Sequence, residues 1–503
     1  MFKLLKHAVL AAAVAFSTSA AFAGKADDTL YVGFGQQLQS LDNYYSPGRE
    51  GFLNGFWIYD ALTYRDPNTL EFKPSLATAW RQIDHLTMEF DIRQGVKFHN
   101  GETLTPEDVA FTLNYVCDPK NKVYNQSAAG WIERAEVVAG GKVRIKAKVI
   151  TPFALEYVSI LAIYPEKYYK EAGKDGMGQK PIGTGPFKAE RGPNNTVVYT
   201  RFDDYFAGSP KGKAHISKMI YGVVPDQNTQ IAELITGKLD WAYQISDDQA
   251  ERLKRFPNLQ VVSGDTFRVA FISLDGAAKT SPDTPLKNEL VRKAINHAID
   301  RDGIVRNLMK SRSRVINSPC NPIQFGCEQD VTIYKYDVQK AKALMQEAGY
   351  ANGFAIDIIG YRNRQVAEAI VGDLRAIGIT ANLKWLQYPA AVQKRRANEA
   401  PMLIDDWGSN SINDVAAILP PFFTNGVDDF AMDKAVAADI IAGGGTNEAT
   451  ARKAAYSKAL KRIADQAYWV PLFTMPLNYA FSSTLDLPVN RAEIPEFYRA
   501  KWK

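Results

Sequence analysis

Few side chains in this sequence have a type and spacing that could run a reaction. Five histidines stand at His7, His85, His99, His215 and His297, with no H-x-x-x-H pair among them. C-x-x-C, H-E-x-x-H, G-x-S-x-G and the phosphate-cradling G-x-x-x-x-G-K-[ST] are absent. The run Gly173, Gly176, Gly178, Gly183, Gly185 does not satisfy G-x-G-x-x-G. Transition metals favour clustered His or Cys groups, so no metal site and no cofactor are expected. Adjacent acids occur at Asp203-Asp204, Asp247-Asp248 and Asp405-Asp406. Carboxylates are almost never fully buried unless paired, so such doublets read first as solvated turn residues. Cys320 and Cys327 flank Asn-Pro-Ile-Gln-Phe-Gly, whose Pro and Gly favour a turn that brings two Cα atoms to bridging distance. A Cys320–Cys327 disulfide is therefore expected, with Cys117 left as a small buried apolar side chain.

The elements that must position these groups are legible from periodicity. Residues 30–34 read as a short strand, 55–62 as a helix, and 86–92 as a half-exposed strand of alternating polarity. Asn100-Gly101 marks a turn. Thr105 is an N-cap with Pro106 at the first helical position, predicting a helix over 106–115. An alternating strand follows over 143–150. Leu290, Val291, Ala294, Ile295, Ala298 and Ile299 form one apolar helical stripe, beside which His297 reads as structural. Asp337 caps a second helix that stops at Gly349. Further helical stripes cover 366–374 and 456–467, with strands at 355–359, 379–385 and 402–406 between them. Strands alternating with helices predict α/β layers.

At 503 residues, 46% hydrophobic and 23% charged, the chain is a packed protein and not a disordered one. Lys+Arg 60 against Asp+Glu 55 leaves only +5, with no dense basic stripe, which excludes nucleic acid as a partner. Aromatic residues at 11% leave room for an aromatic-lined pocket beyond the core. Residues 1–23 have the three parts of a secretory signal: Lys3 and Lys6, the apolar run Ala8–Phe16, and Ala21-Phe22-Ala23. The apolar run is too short for a bilayer core that needs about 20 residues. A periplasmic protein starting at Gly24 is expected, without a lipid anchor because no Cys follows the cleavage point. An oxidising compartment permits the disulfide.

Several segments together resemble the family 5 extracytoplasmic solute-binding proteins of ABC importers, which include dipeptide-, oligopeptide-, nickel- and opine-binding proteins. They are Pro74–Trp80, Arg93–Gly101 running into Leu104–Val109, Gly183–Phe187, Gly237–Asp240, Val291–Arg301 and Ala341–Tyr350. Most are caps, turns and helix faces, so they carry the fold more than the ligand. The resemblance implies an α/β, two-lobed periplasmic-binding-protein-like fold (type II, cluster C) with an extra subdomain in the first lobe. It implies first-lobe segments 24–64, 186–278 and 472–503, an extra subdomain over 65–185, and a second lobe over 279–471. The crossings are expected near 274–285 and 471–474.

The resemblance also implies a ligand site. Arg362 or Arg364 stands where peptide-binding relatives hold the ligand carboxylate, a task that suits the planar guanidinium fork. An aspartate that holds the ligand amine has its place taken here by Ser409 or Asn410, with Asp405 and Asp406 available nearby. Trp385 and Trp407 are candidates for stacking on the ligand, and Tyr44 and Tyr45 for the first-lobe wall. The implied function is capture of a peptide-like or opine-like solute for membrane permease subunits, by a monomer that catalyses nothing. A secreted α/β hydrolase and a periplasmic chaperone-like peptide binder are the alternative classes.

Overall fold

The computed structural model describes residues 24–46, 48–124, 126–309 and 312–503; the expected signal segment lies outside them. Two mixed sheets organise the chain as the two-lobed α/β architecture. The larger has seven strands in the order Leu259–Gly264, Leu477–Ser482, Trp241–Ile245, Thr29–Phe34, Lys218–Val223, Val197–Arg201, Phe187–Arg191. Its central strand Thr29–Phe34 runs parallel to both neighbours. It is buried along most of its length, as a strand covered on both faces must be. The helix Gly48–Ile58 packs beside it. It ends before the expected 62 because Tyr59 and Leu62 are buried in an extended segment, and a short apolar run looks alike in either conformation.

The smaller sheet has five strands: Ile379–Trp385, Phe354–Gly360, Met402–Trp407, Val269–Leu274, Trp469–Thr474. On this order we place the end of the first-lobe segment before the expected 278. Val269–Leu274 pairs with Met402–Trp407 and Trp469–Thr474, so it is a second-lobe strand. We place the crossings at 265–268 and 475–476. The two crossings are tied together, since Thr266 Oγ1 donates to Met475 O at 2.6 Å and Met475 N to Arg268 O at 2.9 Å.

We place the extra subdomain over 65–185. Its four-stranded antiparallel sheet, Ala77–Gln82, Thr87–Ile92, Lys142–Ala147, Ile132–Val138, is covered by the helix Pro106–Cys117. That helix begins with a full capping box between Thr105 and Asp108. Phe90, Val109 and Leu113 belong to the same continuous core as Trp57 and Tyr59, so the subdomain and the first lobe form one packed unit. Gly183 and Gly185 secure the join: a Cβ there would sit 2.1 Å from Ile58 O and 2.4 Å from Ile58 C. No helix among the described residues is long and apolar enough to cross a membrane.

Cys320 and Cys327 are bonded, with Cα atoms 5.8 Å apart. Cys117 is buried, and burial pushes its thiol pKa up. The closed loop has a positional role. Gln324 Nε2 donates to Ile412 O at 2.9 Å and Val415 N to Phe325 O at 3.1 Å, which fixes the segment after Met402–Trp407. Reduction is expected to lower stability by about 2–3 kcal/mol, the chain-entropy value for so short a loop. Urea unfolding with and without reductant, with intact-mass counting of alkylated thiols, checks this.

Candidate functional site

The two lobes meet around a chain of buried charges at the crossings. Asp406 lies opposite Ala270 on neighbouring strands of the smaller sheet. One of its carboxylate oxygens accepts from Arg268 and the other takes Arg362 Nε at 2.5 Å. Arg268 reaches on to Glu493 at 3.2 Å, and Arg49 of the first-lobe helix lies 3.9 Å from the same carboxylate. Arg49 also donates to Ala492 O at 2.9 Å and Glu493 O at 2.7 Å. Three guanidinium groups thus face two carboxylates, so this ionic chain carries one net positive charge. Burial pushes the Asp406 carboxyl up, but Arg362 and Arg268 outweigh it and hold its pKa below the usual carboxylate range.

Asp405 precedes Asp406 on the strand, and the Tyr361 hydroxyl, which donates to Asp405, also reaches Asp406 Oδ2 at 3.3 Å. Asp405 takes Arg395 at 2.5 Å, while Arg395 also holds Asp428 at 3.0 Å. This second network braces the lobe.

Beyond Trp407 the chain makes an unusual turn. Ser409, Asn410 and Ser411 all have left-handed backbones, with φ of 53°, 49° and 62°. Each non-glycine residue in that region costs on the order of 1–2 kcal/mol, so the turn persists only because its surroundings fix it. First-lobe groups supply the hold. Ser411 Oγ donates to Ala492 O at 2.5 Å, Arg49 Nη1 reaches Ser411 Oγ at 3.4 Å, and Arg65 Nη2 donates to Ser411 O.

This turn closes one side of a narrow hollow with a cavity volume of about 60 Å³. Phe52, Phe56, Thr63 and Arg65 come from the first lobe and its junction with the subdomain. Glu156 and Ile160 come from the subdomain, Asn410 to Ile412 from the second lobe, and Ala492 to Tyr498 partly from the returning C-terminal segment. Two ion pairs sit in its walls. Lys211 lies 2.7 Å from Asp60, and Arg65 Nε lies 3.1 Å from Glu156 Oε2. Burial pushes the Glu156 carboxyl up to about 7 against the pull of Arg65, and Asp414 of the second lobe adds to the rise. Phe153 packs into the second-lobe core, so the lobes are in contact here.

Of the expected site residues, Asn410 alone lines the hollow. Ser409 is fully buried behind it. Arg362 and Asp406 belong to the ionic chain beside it. Arg364 is exposed and pairs with Glu368 one helical turn away at 2.8 Å, because its position starts the outward face of the helix Arg364–Arg375. Tyr44 is buried, with its hydroxyl donating to Ala162 O at 2.7 Å inside the first-lobe core. Tyr45 bonds Tyr115 and Asn121 O in the subdomain. Trp407 is second-lobe packing, edge-on to Phe422 with its Nε1 on Ala417 O at 2.9 Å. Trp385 is half-buried at the sheet edge beside Arg364 and does not reach the hollow. Asp405 is consumed by Arg395 and Tyr361. Arg49, Arg65, Glu156, Arg268 and Glu493 escaped sequence reasoning. No local motif marks them; only the fold brings them together.

Comparison with known proteins gives this geometry a lineage. The model of the family "Bacterial extracellular solute-binding proteins, family 5 Middle" matches residues 71–429. The glutathione-binding protein GsiB of Salmonella typhi is 28% identical over 510 residues, covering 96% of each chain. The periplasmic binding protein DppA from Helicobacter pylori, solved with the peptide STSA, superposes with a TM-score of 0.81 at 24% identity over 96% of this chain and 98% of that one. MoaA from A. tumefaciens R10, solved with mannopinic acid, gives 0.79 at 22% identity over 94% and 99%. With its family model matched over well more than half its length, the chain belongs to the family 5 bacterial extracellular solute-binding proteins and is a solute-binding component of an ABC transporter.

Proposed function

We propose that the protein captures a peptide-like or opine-like solute in the hollow between its lobes, in the periplasm after removal of residues 1–23. It then hands the solute to permease subunits in the inner membrane, as a monomer and without chemistry. The observation that carries this reading is the composition of the hollow's walls: first lobe, subdomain, second-lobe turn and returning C-terminal segment each supply part. Such a site is assembled by lobe closure, which couples occupancy to the conformation a permease can sense. Asn410 lines it where the resemblance places an amine-holding aspartate, so the solute needs no cationic amine there. That favours an opine-like or blocked peptide-like solute over an ordinary dipeptide. Arg362, the half-exposed end of the ionic chain beside the hollow, is the candidate for a solute carboxylate.

Mass spectrometry of what the denatured protein releases identifies the solute. Added back at about 100-fold over its dissociation constant, it is expected to stabilise the fold by about 2.7 kcal/mol and to reduce the radius of gyration in solution scattering. A solute that binds with no compaction would overturn closure as the capture step.

A further inference from the structure

Along the seam that closes the hollow, several buried polar atoms lack partners: Arg49 Nε, Thr63 Oγ1, Arg65 Nη1, Ser409 Oγ and Asn413 Oδ1. Native interiors keep such atoms bonded, and a charged donor left unbonded is the most costly kind. Arg65 is the clearest case. Its side chain is only 8% exposed, with Nε committed to Glu156 and Nη2 to Ser411 O, while Nη1 faces no acceptor. Thr63 lies two residues earlier on the strand Thr63–Arg65, hence on the same face, and its hydroxyl is also unpartnered. Both residues line the hollow.

We propose that Arg65 and Thr63 form an anion subsite at the inner end of the hollow, which takes a carboxylate of the solute and makes the transported solute an acidic one. Neither atom is open to water as the lobes stand, so the acid enters before they close; one carboxylate oxygen then accepts from Arg65 Nη1 and the other from Thr63 Oγ1. A guanidinium edge with a neighbouring hydroxyl is suited to such a planar acceptor. Glu156 does not forbid it. With its pKa raised to about 7, that carboxyl readily holds a proton, and in that form it donates to an incoming acid instead of repelling it. Lobe closure with an acid in place then satisfies donors that closure on an empty hollow strands. The subsite lies apart from Arg364, which faces solvent, and from Arg362, which does not line the hollow. The assignment rests on the hollow being the solute site proposed above.

The probes are glutarate and its neutral analogue glutaramide, added to the full mature chain at matched ionic strength, with thermal unfolding and calorimetry as readouts. Glutarate is expected to raise the melting temperature and glutaramide to leave it unchanged. Arg65→Gln is expected to weaken glutarate binding roughly ten- to hundredfold, the range of a lost charge-assisted hydrogen bond. Thr63→Val, which preserves shape and strand propensity, serves if Arg65→Gln fails to fold, and is expected to weaken glutarate binding several-fold. Equal binding of the two probes, no shift with glutarate, or undiminished glutarate binding in whichever variants fold would each overturn the subsite. A neutral solute released from the purified protein would overturn the acidic class while leaving capture between the lobes intact. A bound acid that produces no compaction would do the reverse.

Discussion

Asp406→Ala is expected to lower folding stability by about 3–5 kcal/mol, the cost of stranding buried partners of an ion pair. Asp406 is nearly inaccessible and is shared by Arg268 and Arg362, from the first crossing and from the loop before Arg364–Arg375. Its removal leaves Arg268 with only Glu493 and leaves Arg362 without its acid. Arg362 is partly exposed and can turn to water, so most of the loss falls on Arg268. Combining Asp406→Ala with Arg362→Ala should therefore recover only part of it, and the departure from additivity measures their coupling. The exposed pair Arg364–Glu368 supplies the contrast: Glu368→Ala should cost no more than about 0.5 kcal/mol. Urea unfolding of these variants checks the prediction. A loss below about 1 kcal/mol for Asp406→Ala would mean that the ionic chain does not hold the crossing.

The sequence made most elements readable and most of the site unreadable, for different physical reasons. Caps and turns are local. Thr105, Pro106 and Asp108 specify the start of a helix within four residues, and the structure forms that helix with its capping box. Alternation at 86–92 likewise marks the strand Thr87–Ile92, although the centre of its polar face, Glu89, is covered by Arg81, Lys142 and Arg144. By contrast, Val269–Leu274 is buried throughout, and such a run looks the same in either lobe. Its assignment needs its hydrogen-bond partners, which lie more than a hundred residues away at Met402–Trp407 and Trp469–Thr474. Tyr44 and Tyr45 suit a wet cleft by type, but what a tyrosine hydroxyl bonds is decided by packing, and these two find partners within the first lobe and its subdomain. Arg362 and Arg364 differ by two places near a helix start, and that offset separates an arginine on Asp406 from one in solvent. Arg65 is the hardest case. No local pattern announces its burial, which comes from Glu156 of the subdomain, the Phe267 ring and Ser411 of the second lobe.

Closure also has a proton attached. Glu156 reaches its raised pKa mainly through burial, and Asp414 of the second lobe, itself paired with Arg452 at 2.7 Å, adds like charge; the backbone hydrogen bond from Asn413 pulls the other way. Arg65, from the first-lobe side, opposes the rise without cancelling it. A carboxyl whose pKa goes from the ordinary 4.5 to about 7 favours the apposed lobes in its protonated form. The penalty for an ionised Glu156 is absent below about pH 4.5, grows through the interval, and is constant above about pH 7. At about 1.4 kcal/mol per unit it amounts to about 3 kcal/mol. Glutamine imitates the protonated acid at every pH. In solute-bound protein, the unfolding free energy of wild type minus that of Glu156→Gln should therefore fall by about this amount between pH 4.5 and 7 and stay level above. Asp42 and Asp240, with carboxyls pushed to about 6 and about 7 by burial, are common to both proteins and cancel in the difference. Without solute the slope should weaken, because open lobes return Glu156 to water. A difference independent of pH, or one equally steep with and without solute, would show that the second lobe does not govern this proton.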